Sequence, residues 1–527
     1  MFDFFQKQRS QTSDEFRKVK IDDFDFERIA SYSNGKEHSE HMQFLSDRTC
    51  TDLDFEDLFV LVDRTNSKVG QQYLYDILRS IPSNDFRANS FEKIIKTLDA
   101  SPEIEKSLVF SLSKLNDQGV YFLKNLFQRP LIKRPKWFWV VPVFSFAGLV
   151  TSVLAIKFPI FLLILIGVLI VNLIIHYWNK MNILQYVGAI SHLIKLSRVA
   201  KLIRENNVLV DPDLRLDHCI KSVDKIRTKS MIFRFGGEQS SDLGQLGVYL
   251  IELVKATILI EPLLFFKVCD DLKQIKTEIE LMFQLVGQID VAISIRSLRL
   301  TSDFTSIPKI SDRNKSLVAE KLYHPLLANP VANSFGIPER QSLLVTGSNM
   351  SGKSTFIKTL GVNALLSQTI NTVFARSFSL PRCKIHSSMR IADSLMDAKS
   401  YYMEEVLAIK EMVEENANGF KNLFLLDELY KGTNTKERIA AGAAVLAYLH
   451  SDQNFVIAAT HDLELVNLLS KNYLTIHFNE KIEGDNLTFD YLIKQGKPLS
   501  TNAIKILELN GYPENLIKAA LNNLTDE

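Results

Sequence analysis

Two stretches without a single charge limit how this chain can fold more than any other feature. WFWVVPVFSFAGLVTSVLAI covers Trp137 to Ile156 and IFLLILIGVLIVNLIIHYW covers Ile160 to Trp178, with only Lys157, Phe158 and Pro159 between them. Each is about the twenty residues an α-helix needs to cross the hydrocarbon of a bilayer. A buried pair of core helices is the alternative, but core helices of soluble proteins seldom go so far without a polar stripe. Trp137, Trp139, Tyr177 and Trp178 stand at the outer ends, where amphipathic aromatics favour the headgroup level. The segment 137–178 therefore reads as a transmembrane helical hairpin. Lys124, Arg129, Lys133, Arg134 and Lys136 precede it and Lys180 follows, while Lys157 alone lies in the turn. The positive-inside bias then puts both flanks on the cytoplasmic side of an inner (cytoplasmic) membrane. The basic cluster could instead grip nucleic acid; beside an apolar segment, topology and attraction to anionic lipid account for it better.

The rest of the chain is globular in composition, with 46% apolar and 23% charged residues over 527 positions, enough for two or three domains. Sixty-two Lys and Arg against 61 Asp and Glu leave a net charge of +1, so no whole-molecule basic field draws in nucleic acid. The four cysteines, Cys50, Cys219, Cys269 and Cys383, are far apart and form neither a zinc motif nor a disulfide framework. The opening residues carry no basic-then-apolar leader pattern. Residues 1–43 form a polar preface, and 44–136 have helical patterning that ends a first segment before Pro82. Residues 179–306 are helical again, with LLFFKVCDDLKQIKTEIELMFQLVGQIDVAISIRSLRL as one long helix or two. From 307 to 527 short apolar runs alternate with helices, as in an α/β domain. The expected fold is thus multidomain α and α/β: a helical core interrupted by the hairpin, then an α/β nucleotide-binding domain.

Three motifs in that last segment carry chemistry. SLLVTGSNMSGKST runs from an apolar strand through Gly347-x-x-x-x-Gly352-Lys353-Ser354 into a helix, the setting of a phosphate-binding loop. Backbone N–H groups of Gly347, Ser348, Asn349, Met350, Ser351, Gly352 and Thr355 would surround phosphates. Lys353 would reach the β- and γ-phosphates, and the Ser354 hydroxyl would ligate Mg²⁺. NLFLLDELYKGTNT ends a second apolar strand at Asp427 and Glu428, suited to holding the Mg²⁺ shell and orienting the attacking water. NFVIAATHDLEL ends a third strand at Thr460 and His461, where parallel sheets bind ligands and a histidine can sense a γ-phosphate.

With these residues on the page, a resemblance can be stated. TGSNMSGKST is similar to the phosphate loop of the MutS family, with its Asn-Met pair. SLMDAKSYYMEEV resembles that family's signature segment, placing Ser400, Tyr402, Met403 and Glu405 on it. LLDELYKGTNT, AATHDLEL, KLYHPLL and AIKILELNGYPENLIKAA resemble further stretches of the ATPase domain. DLFVLVDRTNSKVGQQYL and LVGQIDVAISIRSL resemble the start and the last helix of the helical core, or lever. The resemblance implies a MutS-type P-loop ATPase that binds ATP and Mg²⁺ and closes as a homodimer. Glu428, His461 and, from the partner chain, Ser400 would serve hydrolysis, and Tyr491 would hold adenine. It departs from the family at Ser351, usually glycine, and at Tyr430-Lys431, usually Gly-Arg. The wedge motif of mismatch readers occurs only as Phe478-Asn479-Glu480, deep in the ATPase domain, and no DNA clamp is recognisable. Two functions follow as expectations: an ATPase that engages DNA at a membrane, or a membrane-anchored switch or scaffold acting on a protein or lipid. A transporter of the ABC type is a poorer third, because one hairpin makes no translocation path.

Overall fold

The computed structural model describes residues 20, 24–37, 42–206, 208, 214–231, 251–311, 316–348, 351–389, 398–416, 419–451, 453–483, 486–497, 507 and 511–525. Its N-terminal part is helical and its C-terminal part is built on mixed sheets.

Helix α1 (Lys68–Arg79) starts where Ser67 caps it, its hydroxyl accepting from the Gly70 N–H. The same serine meets Asp290 of a distant helix. That buried carboxylate accepts from the Asn66 and Ser67 N–H groups, from the Asn66 amide and from the Ser67 hydroxyl, at 2.6–3.1 Å. Four donors on one ion make its burial tolerable and fix the two helices in register. Gly70 is required there, since a Cβ would lie 2.2 Å from an Asp290 oxygen.

The two charge-free runs form helix α2 (Val140–Ala155) and the start of helix α3 (Ile160–Glu205). Helix α3 passes Trp178 without a break, so the boundary expected there falls inside one 46-residue helix. Trp137 and Trp178 pack against each other with ring centres 4.8 Å apart. Among the described residues three helices are long and apolar enough to cross a membrane: Lys136–Ala155, Ile160–Met181 and Lys276–Thr301. They differ in surroundings, because only 17% of each of the first two spans is buried, against 72% of the third.

The segment expected as one helix or two is two: α4 (Ile260–Gln274) and α5 (Lys276–Thr301), broken at Ile275. Helix α5 is the axis of the helical core, burying Ile279, Met282, Phe283, Val286, Ile289, Ile295 and Leu298.

In the C-terminal part, strand β1 (Ser342–Thr346) leads to helix α6 (Lys353–Thr369). Strand β2 (Lys384–Ser388), helix α7 (Ala398–Asn416), and strands β3 (Asn422–Asp427), β4 (Phe455–Ala459), β5 (Tyr473–His477) and β6 (Lys494–Gln495) complete a six-stranded sheet with its covering helix. Its order is β6-β5-β1-β4-β3-β2, parallel except for the edge strand β6. Strands β1 and β4 are buried at every residue, as expected of central parallel strands covered on both faces. A second, four-stranded sheet holds Lys309–Ile310, Ser377–Leu380, Leu317–Leu322 and Asn333–Ile337.

The two parts share one hydrophobic core. Leu53 packs on Gly361 of helix α6, where a Cβ would come within 2.6 Å of the leucine. Around this contact Lys358 pairs with Asp54 at 2.8 Å, and the Ser387 hydroxyl and Met389 N–H donate to Asp52. Arg299 binds Glu92 and the Asn371 carbonyl. Gln43 exchanges two 2.7 Å bonds with the Ile385 backbone.

Candidate functional site

The C-terminal ends of β1, β3 and β4 open on one side of the parallel sheet, where successive loops diverge and leave a cleft. The loop after β1 turns through Gly347 at φ +140 and Gly352 at φ +108, conformations open to glycine but costly for other residues. A Cβ on Gly347 would also sit 2.7 Å from the Phe478 carbonyl. Asn349 and Met350 lie outside the described residues. Helix α6 begins directly at Lys353, so its first N–H groups face the cleft. The Lys353 ammonium folds back onto the carbonyls of Gly347 and Ser348 at 2.7 and 2.9 Å. Burial lowers its pKa, an effect that Glu428 and Asp427 partly offset. The Ser351 hydroxyl is buried and has no hydrogen-bond partner among the described residues. Ser354 and Thr355, one turn into the helix, are exposed to the cleft.

Strand β3 delivers Asp427 opposite the loop. Burial raises its pKa, and a hydrogen bond with the Ser354 hydroxyl works the other way. Glu428 follows at φ +55, a strained position held by its N–H bond to the Ala459 carbonyl at 3.1 Å. Its carboxylate takes a 2.8 Å ion pair from Lys431 and lies 3.4 Å from His461 Nδ1. Burial by itself would raise the Glu428 pKa; Lys431 and His461 outweigh it and hold the carboxyl below its ordinary value. The His461 side chain is half exposed, at the end of β4.

The cleft has a volume of about 650 Å³, within the range of small-ligand sites. Lys353, Ser354, Asp427 and Glu428 line it together with the apolar Leu327 and Val331 and the ring of Tyr491. Tyr491, at φ +51, lies over the glycine loop: a Cβ on Gly352 would be 3.2 Å from its ring. Asn333 fixes that segment, donating to the Tyr491 carbonyl and accepting from the Ile493 N–H at 2.9 Å each. His324 lines the same cleft; burial lowers its pKa to about 4, leaving it neutral near pH 7.

Of the signature segment, Ser400 lies in helix α7, but its side chain is outside the described residues. Tyr402 and Met403 are exposed. Glu405 is buried and accepts from the Tyr430 N–H of its own chain, which fastens α7 to the loop after β3. Two neighbours were not foreseen from sequence as site residues. Lys431 was noted only as a departure from a pattern, yet it is the Glu428 counter-ion. Glu480, the end of the Phe-x-Glu string, accepts from the Ser348 hydroxyl at 2.6 Å, and Phe478 N donates to the Thr346 carbonyl. The string therefore closes the glycine loop from behind.

Comparison with known proteins adds identity to this geometry. Residues 343–526 match the family profile of MutS domain V. The human protein named MutS protein homolog 4 is 30% identical over 269 residues, 47% of this chain and 28% of its own length. The DNA mismatch repair protein MutS of Clostridium kluyveri is 28% identical over 283 residues, 50% of this chain and 32% of its own. The protein of the same name from Streptococcus equi is 29% identical over 265 residues, 48% and 31%. The matched region thus spans about a third of the length of these relatives.

Proposed function

Because the chain belongs to the MutS family through its C-terminal domain, we propose that it is a MutS-related, Mg²⁺-dependent ATPase held in a membrane by its apolar hairpin. The observation that carries the ATPase reading is the convergence of Lys353, Ser354, Asp427 and Glu428 on one cleft at the ends of parallel strands, with His461 3.4 Å from Glu428 at the end of the strand between them. The residues fit the nucleotide and the ion. A buried hydroxyl at Ser351 with no partner among the described residues, exposed hydroxyls at Ser354 and Thr355, and free helix N–H groups suit a polyphosphate. Ser354 and Asp427 form the oxygen donor set that Mg²⁺ takes. A bound Mg²⁺ would neutralise charge developing on the transferred phosphoryl group. Lys353 leaves its loop carbonyls to bind phosphate oxygens. Glu428, kept ionised by Lys431, accepts a proton from the attacking water, and His461 holds that carboxylate in place. Tyr491 offers its ring to the base, positioned by Asn333.

Membrane anchoring is supported by the low burial of both hairpin spans and the aromatic residues at their ends. Through the contacts of Asp52, Asp54 and Glu92 with the ATPase domain, closure of the cleft moves the helical core. The relatives' names point to DNA as what that motion acts on. The net charge of +1 favours the second reading, a switch working on a protein or lipid partner. Duplex binding that falls steeply with salt selects the first, and a flat, weak response selects the second.

Glu428→Gln should retain ATP binding and lower turnover about a hundredfold, the scale of a positioned base. Unchanged turnover removes Glu428 from the mechanism. Ser400 is expected to act across a homodimer. Lys353→Ala and Ser400→Ala chains, each inactive, should regain activity when mixed, since one composite site then carries both intact halves. Mixed dimers that form yet stay inactive refute the shared site.

A further inference from the structure

We infer that the membrane-embedded part is larger than the hairpin: residues 251–274 form a V of two helices whose apex enters the bilayer beside α2 and α3 and faces lipid acyl chains. This rests on the membrane reading of the hairpin and extends it to a segment that its own sequence does not announce.

The V is made by a break. Residues 251–257 are helical, Leu259 takes φ +45, and helix α4 resumes at Ile260 ahead of Pro262. A break of this kind leaves the last carbonyls of the first limb without intrahelical partners. Here side chains of the hairpin supply them. Asn172 donates to the Thr257 carbonyl at 2.7 Å, and the Ser145 hydroxyl donates to the Ile258 carbonyl. Gly148 makes the approach possible, since a Cβ would lie 2.3 Å from the Thr257 oxygen. Leu259 is fully buried with Val141 and Ile175.

Depth follows from the helix rise. Asn172 lies about 14 Å along α3 from the Met181 end of the span, close to half the hydrocarbon thickness of ~30 Å. Backbone bent at that depth survives only where protein groups satisfy it, and these contacts do so. At a water-exposed site, solvent would cap the same carbonyls.

Both limbs then return toward the polar end of the hairpin. On the second, Phe266 packs near Trp178 and Phe138, and Cys269 clusters with Ile183. On the first, Glu252 reaches Lys180 at 2.8 Å and His176 at 3.3 Å. The inner face of the V is a charge-balanced knot: Lys255 bridges Glu252 and Glu261 at 2.9 Å each, and Lys180 completes the neutralisation. Paired charges turned inward are the form in which ionisable groups are tolerated at such depth. The outer face of the first limb is apolar: Ile251, Leu253 and Val254 are 45–59% exposed, beside the hairpin's own exposed surface, while the exposed Lys267 of the second limb lies two turns back from the apex. Acyl chains are the occupant that an apolar face needs when it adjoins a lipid-facing one.

The test places an environment-sensitive fluorophore on a cysteine introduced in turn at Leu163, Val254 and Leu300. The full chain carries Cys50→Ser and is reconstituted in phosphatidylcholine vesicles with brominated acyl chains. Bromine quenches only probes within the hydrocarbon. Several-fold quenching at Leu163 and Val254, with none at Leu300 of the helical core, is the expected result. Quenching at Leu163 but not Val254 overturns the inference and leaves the anchored hairpin standing. Absence of quenching at Leu163 as well overturns the membrane reading and the V together.

Discussion

Helix α5 and the first half of helix α3 have nearly the same length, 26 and 22 residues, and both are apolar enough for a membrane span, yet they stand in opposite surroundings. The α3 span has mean hydropathy 2.7 and turns Leu163, Ile170 and Ile174 outward. The α5 helix has mean hydropathy 1.3 and buries most of its surface in the helical core. What separates them is where the polar residues go. In α5 three charged residues have neighbours that receive them: Asp290 takes the Asn66–Ser67 turn, Arg296 pairs with Asp99 and Glu105, and Arg299 pairs with Glu92. In the α3 span as far as His176 the polar residues Asn172 and His176 are buried and the exposed residues are apolar. Total hydrophobicity thus selects both helices, and only the direction of the polar minority distinguishes a core from a lipid-facing span.

The largest effect that this contrast predicts is all-or-none. The intact protein should sediment with membranes and resist salt and alkaline carbonate. Removing the hairpin together with the apex residues 251–264 should give a soluble chain that still binds ATP, because Val268 and Leu272 then stay in the core around α5. Recovery of the intact chain in the soluble fraction without detergent breaks the comparison. Next in size is the penalty for emptying the α5 anchor. Asp290→Ala leaves the Asn66 and Ser67 donors buried and unpaired, and should cost about 2–5 kcal/mol in denaturant melts. Leu163→Ser, on the exposed side of α3, should stay within about 0.5 kcal/mol in detergent. Equal losses would show that the two helices share one kind of environment.

The smallest effect concerns the cleft, where charges are paired but open to water. Glu428 is held below its ordinary pKa against the pull of burial. Lys431→Ala removes the main opposing charge, so the pKa rises and the base is protonated at higher pH. The acidic limb of the pH–rate profile should move to higher pH, with the alkaline side little changed. A limb that stays in place means that Lys431 does not tune the carboxylate.

Several of these elements were legible in the residues themselves. The charge-free runs, the strand and helix on either side of the glycine loop and the strands leading to Asp427 and Thr460 follow from local pattern and are present, although the second run continues past Trp178 in one helix and the third strand stops at Ala459. The break at Leu259 was not legible, because ILIEPLLFF reads as continuous helix and the partners that permit the bend, Ser145, Gly148 and Asn172, come from far along the chain. The contact of Glu480 was not legible for a related reason: the pairing of β5 with β1 is what brings Phe478–Glu480 against the glycine loop. Glu405 was read for its place in a signature; its bond to the Tyr430 N–H could be seen only once α7 lay against β3.

The unbroken course of helix α3 has a mechanical consequence. Forty-six residues make a rod about 69 Å long, with roughly 36 Å beyond Met181 running into the helical core. With no proline or gap to absorb bending, a rotation of one half is a sweep of the other. A tilt of about ten degrees at the apolar half displaces the far end near Glu205 by roughly 6 Å, on the rise of ~1.5 Å per residue. Whatever reorients that half, a thinner host layer or a crowding neighbour, arrives among the core helices already amplified.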